Sequence, residues 1–263
     1  MNQPLSASFS QVTHHNSRPA SLRQDALDAF APLPPELPMR KYEIMYLDRD
    51  GQLRDIRRTA RAHTVYEQAF CVLKQGALVT SENGIIAVED VLPGDKLRLG
   101  DGSFETVQWR GCITIQPNRP AENSPLPTLT RLTADAMGYN RPSPDLVLGY
   151  GARILHRAAG IRRVSGSDAA FIPASDFVDG NNVLSLRPTT PFAVYQFGFE
   201  KQQSLEVNGV EIETLHPGTA FNLGLRGAAL RAYLALFPHK QSFEDFGMLD
   251  CPRLRLRDLE LLE

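Results

Sequence analysis

The chain has 263 residues, of which 42% are hydrophobic, and its 28 basic and 30 acidic residues give a formal net charge of −2. This length predicts one main domain with a small appendage, and the balanced charge argues against a broad basic surface for nucleic acid or an anionic membrane. No apolar run approaches the roughly 20 residues that span a bilayer. The sequence also opens without a basic region followed by an apolar stretch. We therefore expect a soluble cytoplasmic protein, with secretion by a signal-independent route left open.

The first 38 residues are rich in Ser, Gln, Pro and Asn. They predict a disordered tail, because few large apolar groups offset the entropy of ordering it. Residues 39–65 predict a β-hairpin: apolar residues alternate from Tyr42 to Tyr46, a turn follows at Asp48–Gly51, and a more exposed strand returns through Leu53 and Ile56.

From residue 66 to 218 the pattern predicts an all-β domain, entered through a short helical stretch around Tyr66 to Leu73. Short β-like runs are separated by turn residues about every ten positions. Thr133 to Met137 predicts a single helical turn. The expected strands are Ala77–Thr80, Ile85–Leu92, Lys96–Leu99, Phe104–Ile115, Leu146–Leu148, Arg153–Leu155, Phe192–Phe199 and a hairpin from Leu205 to Ile212.

Residues 219–263 predict a short helical extension, with one helix over Ala228–Phe237 before Pro238 and a second near Leu259 and Leu262. The three cysteines of the chain, Cys71, Cys112 and Cys251, are odd in number and far apart. This spacing argues against a disulfide framework or a zinc site, so we expect a reducing compartment, no metal and no cofactor.

Four stretches of the sequence carry a resemblance to a known family. They are Gly76–Leu97 with its Val88-Glu89-Asp90-Val91-Leu92-Pro93-Gly94-Asp95 element, Val107–Gly111 around Trp109, Phe171–Ala174, and Asn208–Gly218. In this order, over about 150 residues, they resemble the bacterial Hedgehog/intein (Hint) domains. The resemblance implies a mainly β, disc-like Hint fold, here with an N-terminal β-hairpin and a short C-terminal helical extension.

Active Hint domains carry out a self-processing reaction, and the resemblance implies where its groups would lie. A first-residue Cys or Ser attacks the preceding carbonyl, a histidine in a Thr-x-x-His element protonates the leaving nitrogen, and a later histidine assists the last step. The matched positions hold Val72, Gly149, Ala152 and Gln202. None of these residues is a nucleophile or an acid near neutral pH.

Two readings of the reaction site follow. In the first, the matched positions make the domain catalytically inactive. In the second, Cys71, one residue before Val72, attacks the carbonyl of Phe70 with help from His156, and an insertion before Gly76 restores the register. His216, in the loop matched at the end of the domain, is a further candidate, although holding that loop by hydrogen bonds is the simpler role.

We therefore expect a Hint-domain protein that lacks autoprocessing and acts as a binding or structural module. The alternative is Cys71-dependent self-cleavage of the bond between Phe70 and Cys71. A protein partner would use the exposed edges of the hairpin Lys41–Arg58 or the helix after Gly224, since free strand edges and apolar helix faces recruit other chains. Neither nucleic acid nor a membrane is expected as a partner.

Overall fold

The computed structural model describes residues 38–118 and 127–260, so the predicted tail, apart from Pro38, lies outside the described residues. Two large antiparallel sheets of eight strands each dominate it. The prediction of a mainly β fold is confirmed.

The strands are β1 Met39–Leu47, β2 Leu53–Arg61, β3 Leu73–Lys74, β4 Leu78–Ser81, β5 Gly84–Ala87, β6 Lys96–Arg98, β7 Phe104–Thr106, β8 Trp109–Ile115, β9 Leu129–Leu132, β10 Leu146–Leu148, β11 Arg153–His156, β12 Ala170–Pro173, β13 Val183–Leu186, β14 Phe192–Gly198, β15 Ser204–Val207 and β16 Val210–Glu213. The helices are α1 Thr64–Gln68, α2 Ala159–Ser165, α3 Ala220–Leu223, α4 Gly227–Leu234 and α5 Leu256–Glu260, with 3-10 turns at Ala174–Phe177 and Glu244–Phe246.

The first sheet has the strand order β13-β9-β10-β3-β14-β8-β1-β2, and the second has the order β12-β11-β16-β15-β4-β6-β7, with β5 paired to β4. The predicted hairpin forms the edge of the first sheet. Leu47 faces Leu53 across β1 and β2, and the Asp48 carboxylate accepts from the backbone N–H groups of Asp50 and Gln52 to hold the turn. β1 also pairs with β8, so within the described residues no strand pairs with the outer side of β2.

The predicted run Phe104–Ile115 divides into β7 and β8, because the chain changes sheets between them. The N–H of Val107 donates to Asp95 O beside the second sheet, whereas the N–H of Gln108 donates to Gly198 O in the first. The helical turn expected at Thr133–Met137 is wrong: this segment forms hydrogen-bonded turns, with Asp135 at a φ of 64°. The sequence analysis did not predict β3, β9, β12, β13, α2 or α3.

Two hydrophobic clusters lie around the first sheet. One is mostly aliphatic and includes Val72 and Val79. The other is aromatic, is covered by α1 and α4, and contains Tyr42, Phe70, Cys71, Trp109, Tyr233 and Phe237. The boundary between the two clusters therefore runs between Cys71 and Val72, where the domain begins. Among the described residues, no helix is long and apolar enough to cross a membrane.

Candidate functional site

Cys71 lies where α1 gives way to the first strand of the domain. Its backbone N–H donates to Glu67 O at 2.8 Å, which continues the last turn of the helix. The preceding ring of Phe70 packs edge-on against Tyr42 and Trp109, with centroids 5.0 and 5.2 Å apart. Cys71 is fully buried, so α1 and these rings close the thiol away from solvent.

The loop Gly149-Tyr150-Gly151 closes over Cys71 from the other side. Gly149 N–H donates to Val72 O at 2.8 Å, and Gly151 N–H donates to Cys71 O at 2.9 Å. The two segments that the family resemblance matched to the nucleophile and to Thr-x-x-His therefore do meet in space. They meet as paired backbone, so the site is filled by main chain rather than by catalytic side chains.

No side chain fits at the two glycines of this loop. A Cβ atom at Gly149 would lie 2.2 Å from Cys71 O and 2.7 Å from Cys71 Sγ. At Gly151 it would lie 2.1 Å from Gln68 O. Because real Cβ contacts do not reach these distances, the threonine of the family pattern has no room at position 149.

The Cys71 side chain packs in the aromatic cluster and the Val72 side chain in the aliphatic cluster. The thiol, rather than Val72, therefore lies against the Gly149 loop.

The electrostatics of the site disfavour a thiolate. Burial raises the pKa of the Cys71 thiol to about 12; backbone hydrogen bonds from Tyr150 and Gly151 act against this rise, and the Glu67 charge adds to it. A cysteine of this kind stays protonated at physiological pH, and the thiolate is the nucleophilic form.

A buried ion pair that the sequence analysis missed stands beside the thiol. Arg40 Nε lies 2.6 Å from Glu67 Oε1, and the hydroxyl of Tyr150 donates to Glu67 Oε2 at 2.9 Å. Arg40 also donates to Thr114 O at 3.0 Å, which ties β1 to β8. An arginine within an apolar strand could have indicated a buried ion pair. The sequence does not show its partner, because Glu67 is 27 residues away.

The candidate histidines lie in other surroundings. The His156 ring packs edge-on against Phe177 at 5.5 Å, and burial lowers the pKa of His156. His216 Nδ1 accepts from Gly218 N–H at 2.9 Å, and its Nε2 lies 3.3 Å from Gly247 O. Across the described part of the chain, no hydrogen bond or ring contact joins Cys71 to either of them.

The remaining matched positions are buried as well. Ala152 lies in the aliphatic cluster, and its O atom accepts from Ala174 N–H at 3.0 Å. Gln202 donates its side-chain amide to Glu213, and its Oε1 accepts from Cys251 N–H at 3.3 Å. Gln202 therefore joins the domain to the C-terminal segment. Within residues 38–118 and 127–260, no group of three or more His, Cys, Asp or Glu side chains is arranged to hold a metal ion.

Comparison with known proteins gives one family match. Residues 71–219, more than half of the chain, match the Hint domain family, and the match begins at Cys71. The solution structure of a bacterial intein-like domain from Clostridium thermocellum is similar over 55% of this chain and 98% of its own, at 13% identity and a TM-score of 0.37. No curated protein matches.

Proposed function

Since the chain belongs to the Hint domain family, we propose that it is a Hint-domain protein that does not cleave itself and acts as a binding or structural module. The observation that carries this proposal is the closure of the Cys71 site by the backbone of Gly149-Tyr150-Gly151.

The nucleophile is the first step that this arrangement suppresses. Because burial raises the pKa of Cys71 far above that of a free cysteine, the thiol stays protonated at neutral pH and is a poor nucleophile. Phe70 O accepts from Val72 N–H at 2.9 Å, a contact that would favour an oxyanion there, so the suppression of this step rests on the protonated thiol.

Protonation of the leaving nitrogen is the second step. The N–H of Cys71 donates to Glu67 O, and position 152, where the family pattern has a histidine, holds Ala152. The hydroxyl of Tyr150 donates to Glu67, and burial raises the pKa of Tyr150 further, so this phenol holds its proton. An amide nitrogen that receives no proton is a very poor leaving group.

The intact mass of the freshly purified full chain tests the proposal. We expect one species of 263 residues, unchanged by an added thiol or hydroxylamine, in both the wild-type chain and the Cys71→Ala variant. Fragments of about 70 and 193 residues that form in the wild-type chain and are lost in Cys71→Ala would overturn it.

Self-cleavage at the Phe70–Cys71 bond is the second candidate. Two observations favour it: the family match begins at Cys71, and the Gly149 loop contacts this residue as a reaction site would require. In this reading Tyr150 and Glu67 replace the missing imidazole. A Tyr150→Phe variant separates the two candidates, because it should abolish fragment formation if Tyr150 takes part and change nothing if the chain is inert.

The free edge of β2 is the docking surface that we propose for a protein partner. Asp48 N–H donates to Gln52 O, and Ala62 N–H donates to Pro38 O. In this register the backbone N–H and C=O groups of even-numbered β2 residues point towards β1, and those of odd-numbered residues point outward. Arg54, Arg57, Arg58 and Arg61 outnumber Asp55 along this strand. An acidic segment in extended conformation suits such an edge.

The helix after Gly224 is the other surface expected to recruit a partner. It packs Tyr233 and the partly buried Leu230 and Leu234 into the aromatic cluster, so these apolar side chains are already covered.

A synthetic peptide of alternating Thr and Glu is the probe for the β2 edge. It should bind the wild-type chain and the Thr59→Ala variant and lose at least tenfold in affinity to Thr59→Pro, which removes an outward N–H. Equal binding to all three chains would exclude this edge.

A further inference from the structure

We infer that the surface beside β12 is a peptide-binding groove for an extended segment with two arginines two residues apart and leucines after each, and that residues 252–256 of the chain itself occupy it. This inference rests on the binding role proposed above. It names the chemistry of a second partner, which differs from the acidic segment proposed for the β2 edge. The partner is a segment of another protein with the same Arg-Leu-Arg-Leu pattern.

The backbone of the occupying segment adds to the edge of the second sheet. β12 is the last strand of that sheet and pairs with β11 on one side only. On its other side, Phe171 N–H donates to Pro252 O at 2.8 Å and Leu254 N–H donates to Phe171 O at 3.1 Å, in a parallel bridge between Phe171 and Arg253. Main-chain pairing of this kind is how sheet edges bind peptides.

Two acidic side chains of the domain receive the two arginines. Arg253 Nε lies 2.8 and 3.2 Å from the oxygens of Glu213, and Arg253 Nη2 donates to His216 O at 2.6 Å. Arg255 binds both oxygens of Asp176, each at 2.7 Å. The Glu213 and Asp176 side chains are only 4% and 8% exposed, so each forms a defined acidic pocket for a guanidinium.

The leucines between the arginines fill an apolar strip. Leu254 and Leu256 pack with Ile161 of α2 and with Ala170 and Ile172 of β12 in a small cluster. This cluster is separate from the two main clusters, and neither of those contains a residue from 250–260. Release of the segment would therefore uncover the groove and leave both main clusters packed.

Glu213 keeps polar partners within the domain without the segment. Glu213 has a second cationic partner in Arg153, at 3.4 Å, and accepts from the Gln202 amide, so it stays paired when Arg253 leaves. Both acidic residues lie within the family-matched residues 71–219, whereas the occupying segment lies outside them. Gly247, at a φ of 75°, and Met248, 86% exposed, precede the segment and give it a surface hinge.

Competition between the tethered segment and a free peptide tests the inference. The probe is a fluorescent peptide with the sequence of residues 250–259, with serine in place of Cys251, and its anisotropy is measured with the full chain. A tethered segment acts at an effective concentration of about a millimolar, so wild-type chain should bind the probe weakly. The full-chain variant R253Q/R255Q, whose own segment is weakened, should bind it at least tenfold more tightly.

Two controls make the result specific. A probe with the arginines of positions 253 and 255 changed to glutamine should bind neither chain, and Asp176→Asn in the R253Q/R255Q background should weaken binding of the intact probe at least tenfold. Far-UV circular dichroism checks that each variant is folded, and the single variant Arg255→Gln, at a half-exposed residue, replaces the double variant if that one fails to fold.

Equal binding of the probe to wild-type and variant chains, or equal binding of both probes, would overturn the inference. A dimer that grows with concentration and involves the segment would assign the groove to a second copy and overturn the partner assignment. These outcomes are independent of self-cleavage, which would separate residues 1–70 and leave the groove in place, so the two proposals can fail separately.

Discussion

Two buried glutamates, Glu67 and Glu213, lie in similar settings with different consequences. Each binds an arginine from a segment outside the family-matched residues: Arg40 for Glu67, and Arg253 for Glu213. Each also lies close to a residue considered in the comparison with the family pattern: Glu67 lies near Cys71, and Glu213 accepts from Gln202. In both regions an arginine from outside the family-matched residues binds a buried glutamate.

The difference lies in what else holds each glutamate. Glu67 has Arg40 as its only cationic partner among the ion pairs found in the described residues, and Arg40 belongs to a strand paired on both sides. Glu213 has Arg153 as well as Arg253, and Arg253 belongs to a terminal segment outside the main clusters. The Cys71 region is therefore covered by a strand held within the first sheet, whereas the Glu213 region is covered by the segment that we propose to exchange with a partner.

The largest expected effect is that of Gly149→Ala, which breaks the closed region directly. The new Cβ would meet the backbone of Cys71 at 2.2 Å, and a main-chain clash has no flexible side chain to relieve it. We expect a loss of at least about 4 kcal/mol in the free energy of unfolding, or failure to fold. Urea denaturation measures it.

Gly160→Ala is the matched control for that substitution. Its Cβ would meet nothing closer than 3.8 Å, and Gly160 lies within α2, where alanine is the better helix former. This variant should be neutral or more stable by up to about 1 kcal/mol. A small effect at Gly149 would show that the loop can move away from Cys71, contrary to a closed site.

The next effect compares the two arginines. Arg40→Met leaves Glu67 buried without a cation and should cost about 3–5 kcal/mol, whereas Arg253→Met leaves Glu213 paired with Arg153 and should cost about 1–2 kcal/mol. Urea midpoints of the two variants measure the difference. Equal losses would mean that Arg153 does not support Glu213, and the groove would then not survive release of the segment.

Thiol reactivity sharpens the contrast, since each region contains one cysteine. Cys71 is fully buried with a pKa near 12, whereas Cys251 is half-buried and burial raises its pKa to about 11. With a disulfide reagent at pH 8 we expect Cys251 to react about 100-fold faster than Cys71. Single Cys→Ala variants assign each phase, and a fast phase that disappears in Cys71→Ala would contradict the closed site.

The smallest effect concerns His239, which packs on Trp109 with a centroid distance of 6.0 Å. Both of its ring nitrogens are buried with no hydrogen-bond partner in the described structure. His239→Phe keeps the ring contacts and removes these groups, so we expect a gain of about 1–2 kcal/mol at pH 7.

The stability of the His239→Phe variant can also be compared with that of the wild-type chain as a function of pH. Burial, with the nearby Lys240 charge, lowers the pKa of His239 to about 3. A lowered histidine pKa means that the unfolded chain binds the proton first, so stability falls as pH drops from about 6.5 towards 3, by roughly 1.4 kcal/mol per unit at most. His239→Phe should flatten this slope, and an unchanged slope would show that the ring is already solvated.

Much of the fold was predictable from local sequence. The Asn208-Gly209 hairpin forms as expected, with φ values of 48° and 82° that Asn and Gly tolerate best. The strand at Phe192 and the helix beginning near Ala228 are also confirmed. The segments missed, such as β9 beyond the proline-rich loop and the short α2, have little periodic pattern of their own and owe their structure to their neighbours.

The sequence alone determined that positions 152 and 202 hold Ala and Gln, and therefore that the imidazoles of the family pattern are absent there. Only the tertiary structure decided that main chain fills the space around Cys71 and that Arg40 and Arg253 reach Glu67 and Glu213, over separations of 27 and 40 residues. The physical reason is that local periodicity specifies which face of an element is buried, whereas the packing of whole sheets decides which distant residue lies opposite it.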